Sequence, residues 1–375
     1  MHERNCSTSS QPQDERVAEH AISQAFGLPA AYTDRASLAI QVILRDITPG
    51  AVVALAPVVC QDVISAVISA GCTPLFVDLD PATTEVPASE WERARDAGAT
   101  VAIAVHLFGI GQSLTNLKRI FAGEDLLIID DAAQAVGTKV GTGFAGTHGT
   151  VGILSFGPSK QLPVGGAAVL TREAAVLDLV RKNRASANPS VSTVLSEEDF
   201  RTKLDVARGQ LAQVGRSAAS HFQGLLEGYQ DLLNVVAHET VPEKIAHILP
   251  QLGELRERRM RKFLLWKSLL VKTRATFFEY TRGANPWRAT FRVPGIGWEE
   301  QAALAEEMRS HGVPVSTWYL PGHWFLDGGK MKMDGAERLS REVFQLWIDE
   351  TTTEEQIHTW APVVQATIGS RRRSR

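Results

Sequence analysis

The sequence predicts an α/β protein, with a large domain built on a mostly parallel, helix-covered sheet and a smaller α/β domain after it. Three observations carry this. From Val52 to Thr171 short apolar and β-branched runs alternate with helical segments at the spacing of βαβ units. From Ala174 to about Leu233 helical periodicity takes over, and strand and helix patterns return beyond Ala289. At 375 residues the chain is also long enough for two cores.

In chain order, Arg16–Phe26 and Ala36–Asp46 read as amphipathic helices, the second ending at the Thr48-Pro49-Gly50 turn. Val52–Ala56 is a strand, Val63–Ala70 a helix closed by Gly71, and Pro74–Asp78 the next strand. Thr100–Val105, Leu126–Asp130, Val151–Phe156 and Gly166–Thr171 continue the strands, with Leu114–Phe121 a helix among them. Residues 185–192, rich in Ser, Asn and Pro, read as a loop. Gln251–Lys272 is a long basic helix, Ala289–Val293 and Val313–Trp318 are strands, and Glu299–His311 and Thr353–Thr367 are helices. The expected organisation is a disordered terminus (1–15), a large domain (16–240), a small domain (241–368) and a basic tail (369–375).

Composition narrows the function. With 39 basic and 42 acidic residues the net charge is −3, so no whole-chain field points to nucleic acid or a membrane surface. Cys6, Cys60 and Cys72 have no CxxC spacing and fit reduced thiols. The polar N-terminus lacks the apolar core of a signal peptide, and no run reaches the ~18 apolar residues of a membrane span. A cytoplasmic enzyme acting on small molecules is expected.

Parallel sheets place their chemistry at the carboxyl ends of their strands, here Pro57–Cys60, His106–Gly109, Asp130–Gln134 and Ser155–Lys160. The strand Leu126–Ile129 runs directly into Asp130 and Asp131. A carboxylate there costs several kcal/mol unless it meets a positive or protonated partner, although capping or a nearby Lys or Arg would also satisfy it. Lys160 follows a strand and a Pro-Ser turn and precedes Gly165-Gly166, where backbone must pass closely. Burial would make its neutral amine available for Schiff-base formation; without burial it is an ordinary surface lysine. Together, a lysine and a carboxylate are what pyridoxal phosphate requires, one for its aldehyde and one for its ring nitrogen.

Other motifs are read more plainly. Gly141-Thr142-Gly143-Phe144-Ala145-Gly146 fits GxGxxG but leads into a strand rather than a helix, so it is taken as a turn and not a dinucleotide site. His106, His148 and His323 share no metal-ligand spacing, and no metal is expected. Trp318, Trp324 and Phe325 are expected in the core, with a pocket wall as the alternative.

In the segments AGCTPLFVDLD (70–80), VHLFG (105–109), IIDDAAQA (128–135), LSFGPSKQL (154–162) and GVPVSTWYLPGH (312–323) the chain resembles the DegT/DnrJ/EryC1/StrS sugar aminotransferases. The resemblance implies the aspartate-aminotransferase-like fold type I, with a seven-stranded sheet, and pyridoxal 5'-phosphate as cofactor. It implies that Lys160 is the Schiff-base lysine, Asp131 the partner of the ring nitrogen, Gln134 a neighbour of the ring and Ser155 a phosphate ligand. Ala36 and Ser37 fall at the phosphate-binding helix start, and Tyr319 and His323 in a segment that faces substrate in relatives. An amino donor, a keto acceptor and a homodimer are also implied, with a heterodimer as the alternative.

The chain departs from the family pattern in three places. Asp34 and Arg35 stand where a Gly-Thr or Gly-Ser turn is usual, and Asp34 is expected to repel phosphate. Val58, Val59 and Cys60 offer no stacking aromatic, and residues 196–199 carry an acidic cluster where an asparagine from the neighbouring subunit is expected. Elimination, decarboxylation or condensation on an amino acid therefore remains an alternative reaction, and a degenerate or cofactor-free subunit an alternative role.

Overall fold

A computed structural model of the chain describes residues 12–186, 197–233, 242–317 and 319–369. The large sheet contains β1 (Ala30–Thr33), β2 (Val52–Leu55), β3 (Thr73–Phe76), β4 (Val101–Val105), β5 (Leu127–Asp131), β8 (Val151–Ser155) and β9 (Ala167–Leu170), in the order β1-β9-β8-β5-β4-β2-β3. Between β5 and β8 lies a two-stranded ribbon, β6 (Lys139–Val140) and β7 (Gly143–Phe144), so the GxGxxG stretch is a turn, as its context predicted. The pairs β3/β2, β2/β4, β4/β5 and β5/β8 are parallel, whereas β8/β9 and β9/β1 are antiparallel. The mostly parallel, seven-stranded sheet expected from the sequence is present. Strands such as Val101–Val105, buried except for a half-buried Val105, and the fully buried Val151–Ser155 read as continuous apolar runs because both faces of the sheet are covered.

The covering helices are α1 (Gln13–Phe26), α2 (Ala36–Ile47), α3 (Gln61–Ser69), α4 (Ala88–Asp96), α5 (Thr115–Ile120), α6 (Ala174–Ser186), α7 (Glu197–Val214) and α8 (Leu226–Leu233). Helix α1 begins inside the terminus expected to be disordered, and Glu15 on it pairs with Arg184. The loop expected at 185–192 lies mostly outside the described residues, although Ala185 and Ser186 still belong to α6. Residues 240–241, the expected domain boundary, the basic tail at 370–375 and Trp318 also lie outside them.

The C-terminal part holds α9 (Glu243–Ile248), α10 (Leu252–Leu269), α11 (Trp298–Ser310), α12 (Trp324–Asp327), α13 (Asp334–Glu342) and α14 (Glu354–Ile368). Its antiparallel sheet is β10 (Thr276–Phe277), β11 (Ala289–Arg292), β13 (Val343–Leu346) and β12 (Val315–Ser316), in that order. It has its own core, in which Trp266, Phe291, Phe344 and Val364 meet. Trp324 and Phe325 pack instead into the core beneath the large sheet's helices, as their apolar clustering suggested. Thr353 starts α14 with a capping box closed by Gln356, a pattern worth about 1 kcal/mol. No helix of the described residues is long and apolar enough to cross a membrane.

Candidate functional site

The parallel strands end at one edge of the sheet, at Leu55, Phe76, Val105, Asp131 and Ser155. There a cavity of about 230 Å³ is lined by Arg35, Ala36, Ser37, Val59, Cys60, Asp62, Asp131, Gln134, Ser155 and Lys160, among others. Six of the eight residues singled out from the sequence therefore share one cavity: Lys160, Asp131, Gln134, Ser155, Ala36 and Ser37.

The two strand-end aspartates have different tasks. Asp130 is fully buried, holds His106 Nε2 at 2.6 Å and accepts the His148 amide at 2.8 Å. His106 Nδ1 accepts the Gln112 amide at 2.8 Å, so Nε2 carries the proton and donates to Asp130. Asp131 points into the cavity and, among the described residues, takes only the Ala133 amide, at 2.9 Å. Burial pushes the Asp131 carboxyl up, with the Ala133 N–H and the Lys160 charge opposing. It would gain from a protonated ring nitrogen placed in the cavity.

Lys160 sits in the loop between the antiparallel strands β8 and β9. That loop is cinched at its base, where the Phe156 amide donates to the Gly166 carbonyl at 2.9 Å and the Gly165 amide to the Phe156 carbonyl at 2.7 Å. Gly166 adopts φ +79°, and a Cβ there would stand 2.0 Å from the Tyr32 hydroxyl, so only glycine fits. The close backbone approach expected at Gly165-Gly166 is thus observed. Lys160 is half-buried rather than sealed, its Nζ 5.7 Å from the Trp287 ring centre. Trp287 Nε1 in turn donates to the Ser159 carbonyl at 2.6 Å, tying the loop to the C-terminal part.

Gln134 Oε1 accepts the Phe108 amide at 3.0 Å, and the Gln134 carbonyl accepts Gln161 Nε2. Phe108 is held at φ +60°, next to Gly109 at φ +88°, where a Cβ would lie 2.2 Å from the Asn285 carbonyl oxygen. Tyr319 is buried outside the cavity wall, where its hydroxyl bonds Gln134 and burial pushes its phenol well up. His323 does not reach the cavity. Its Nε2 lies 3.3 Å from Glu337, which also holds Arg216 at 2.7 Å, so it braces α12 against α13.

The opposite end of the cavity is the start of α2. Arg35 is its N-cap with extended backbone and no side-chain cap, which leaves first-turn amides facing the cavity and suits an anion. Ser155 closes the same end from β8. Arg35 pairs with Asp62 of α3 at 2.9 Å. Asp34 does not stand as a bare repulsive charge, because Arg184 holds it at 3.1 Å. Val59 and Cys60 line the cavity while Val58 turns into the core, and burial pushes the Cys60 thiol up to about 12. Ser196 lies outside the described residues; Glu197–Asp199 begin α7, but their side chains lie outside them too.

Asp62, Arg184 and Trp287 were not anticipated as neighbours of the site. Asp62 was within reach, since it lies two residues past the strand-end segment Pro57–Cys60; Arg184 and Trp287 come from distant elements and left no local signal. Among the described residues no group of three or more His, Cys, Asp or Glu side chains is placed to hold a metal ion.

Residues 18–223, more than half of the chain, match the family model of the DegT/DnrJ/EryC1/StrS aminotransferase family. A UDP-N-acetyl-3-dehydro-alpha-D-glucosamine 3-aminotransferase from Acidithiobacillus ferrooxidans is 31% identical over 161 residues, 42% of each chain. The chain spans less than half the length of the curated relatives it matches. Among solved structures, S. venezuelae DesV in complex with a ketimine intermediate aligns with a TM-score of 0.73 at 18% identity, covering 95% of this chain and 89% of that one. E. coli GDP-4-keto-6-deoxy-D-mannose-3-dehydratase with bound hydrated PLP aligns at 0.69 and 15% identity, covering 94% and 92%. At these identities the structural likenesses establish the fold alone. Through the family match, the chain belongs to the DegT/DnrJ/EryC1/StrS aminotransferase family.

Proposed function

We propose that the protein is a pyridoxal-phosphate-dependent aminotransferase that moves an amino group from an amino acid to a keto-sugar or related cyclic ketone, working as a cytoplasmic homodimer. The observation that carries the reading is Lys160 and Asp131 in one cavity, each within the other's electrostatic reach. The residues present fit the cofactor. Asp131 is a buried carboxylate with one backbone donor and an open side, and the amides of α2 offer an anion site at the far end.

When bound, the cofactor would supply an electron sink for the negative charge left on the substrate carbon. Asp131 would keep the ring nitrogen protonated. The Ala36 and Ser37 amides with Ser155 would hold the phosphate, assisted by the helix dipole. Gln134, fixed by Phe108 and Tyr319, would set the position of the ring edge. Lys160 Nζ, half-buried beside Trp287, would take the proton from the substrate carbon and return it, which is general acid–base work worth ~10²–10⁴ in rate. The relative from A. ferrooxidans, named for a 3-dehydro sugar nucleotide, supports a keto-sugar acceptor.

A second reading is elimination, decarboxylation or condensation on an amino acid, favoured by Val59 and Cys60 in the cavity where no aromatic ring is offered. Incubation of cofactor-loaded protein with glutamate or glutamine separates the two. Transamination predicts conversion of the cofactor to its amine form with release of the keto acid; persistence of the original spectrum with a panel of donors contradicts it. Sedimentation of the loaded protein at twice the chain mass supports the homodimer.

A further inference from the structure

A second, smaller cavity of about 100 Å³ lies outside the carboxyl ends of β2 and β4, lined from the turn at 80–85, from α4 and from α5. Val86, Trp91, Leu107 and Leu117 give it apolar walls, and Val105 is the one residue it shares with the lining of the Lys160 cavity. The turn is closed by two backbone bonds of 2.8 Å, from the Thr84 amide to the Asp80 carbonyl and from the Asp80 amide to the Glu85 carbonyl. It holds Thr84 at φ +66°, a left-handed conformation that suits Gly or Asn and strains a β-branched residue. Thr84 is nonetheless buried, between an exposed Thr83 and an exposed Glu85, and so brings a hydroxyl to the cavity wall.

That hydroxyl accepts Gln112 Nε2 at 2.9 Å, which leaves its own proton and Gln112 Oε1 without a partner among the described residues. Gln112 is itself fixed, since its amide donates to His106 Nδ1 at 2.8 Å and His106 holds Asp130 at 2.6 Å. One free donor and one free acceptor thus stand side by side on a rigid chain of hydrogen bonds, and a hydroxyl group offers the matching pair. At the rim the Glu85 carboxylate has neither an ion pair nor a hydrogen bond among the described residues, and no Lys, Arg or His lines the cavity. A carboxylate or phosphate there would face Glu85 with no cation to offset it, whereas an ammonium would gain from it.

We propose that this cavity is a second binding site, for a compact ring that carries a hydroxyl and an amine. The hydroxyl would bridge Thr84 and Gln112, the ring would rest on the apolar walls, and the ammonium would meet Glu85 at the rim. The proposal goes beyond the aminotransferase reading and does not depend on it, because neither Lys160 nor Asp131 lines this cavity.

Ligand-observed NMR titration of the full chain tests this with trans-4-aminocyclohexanol, whose hydroxyl and ammonium stand at opposite ends of a six-membered ring. The chain is prepared without pyridoxal phosphate, so that no aldehyde traps the amine, and trans-4-hydroxycyclohexanecarboxylate serves as the anionic counterpart. The expected result is saturable binding of the amine to wild type and at least tenfold weaker binding of the carboxylate. Thr84→Val, which deletes the hydroxyl and keeps the shape, and Glu85→Gln, which deletes the charge, should each weaken the amine severalfold, and Lys160→Ala should bind it as wild type does. Glu85 is exposed, so Glu85→Gln carries the test if the Thr84 variant does not fold. No saturable binding, equal affinity for the carboxylate, wild-type affinity in both variants, or a loss in Lys160→Ala would each overturn the proposal.

Discussion

The two ends of the cavity are built on different principles. At the lysine end the groups come from a strand end and a cinched hairpin loop, where register fixes their positions: Asp131 pairs with Ile153. At the other end they come from helix starts, and charge is balanced by two ion pairs, Arg35–Asp62 and Arg184–Asp34. The chemical groups thus sit on rigid scaffold, while the departures from the family pattern gather where an amide cradle and paired charges can share the task of holding an anion. The first end should tolerate almost no change and the second should tolerate compensated change.

The largest effect is expected from Lys160→Ala, which should lower transamination by at least ~10⁴-fold, since both attachment and proton transfer are lost. Asp131→Ala should follow, with turnover reduced roughly 10²–10⁴-fold as the ring nitrogen loses its partner; single-turnover rates with glutamate check both. At the helix end, Arg184→Ala should weaken cofactor binding by about tenfold by exposing the Asp34 charge, and adding Asp34→Asn should restore most of it. A double variant no better than the single would remove the charge-balance account of that end.

Away from the cavity, His323→Ala should cost roughly 1–3 kcal/mol of stability and leave cofactor affinity unchanged, because His323 braces Glu337. A selective effect on substrate KM would return it to the site. Burial pushes the Glu337 carboxyl up, but its bonds to His323 and Arg216 outweigh this and hold it at about 2. A depressed folded-state value means this contribution is complete above the ordinary value of 4.5 and is lost as pH falls towards 2. In thermal melts, the excess stability of wild type over Glu337→Gln should shrink across that window.

The same contrast runs through what was legible in the sequence. Five of the strands of the large sheet stand out as apolar or β-branched runs, the inner ones because both faces are buried while the edge strand β3 is only partly covered, and the lysine end of the site follows from their carboxyl termini. β9 follows the tight loop it was predicted to follow. β1, only Ala30–Thr33, was missed, since it is defined by antiparallel pairing with β9 and by the Tyr32 amide donating to Glu19 at 2.8 Å, both distant in sequence. In the small sheet Val313–Trp318 shortened to Val315–Ser316, and Val343–Leu346, its central strand, was not anticipated, because its pattern depends on neighbours on both sides. Helix α4 was missed for the opposite reason, since only Trp91 and Ala94 are buried and most of its other residues are charged and exposed. Asp34 illustrates the limit of local reasoning at the site. Its repulsive charge is plain in the sequence, but the arginine that offsets it lies 150 residues away.

The most direct test of Lys160 as the anchoring group is borohydride reduction of the protein loaded with pyridoxal phosphate, followed by peptide mapping. The account predicts one stable pyridoxyl adduct, on Lys160, absent in Lys160→Ala. Reduction that leaves Lys160 unlabelled while another lysine carries the adduct, or that labels nothing at saturating cofactor, would contradict it.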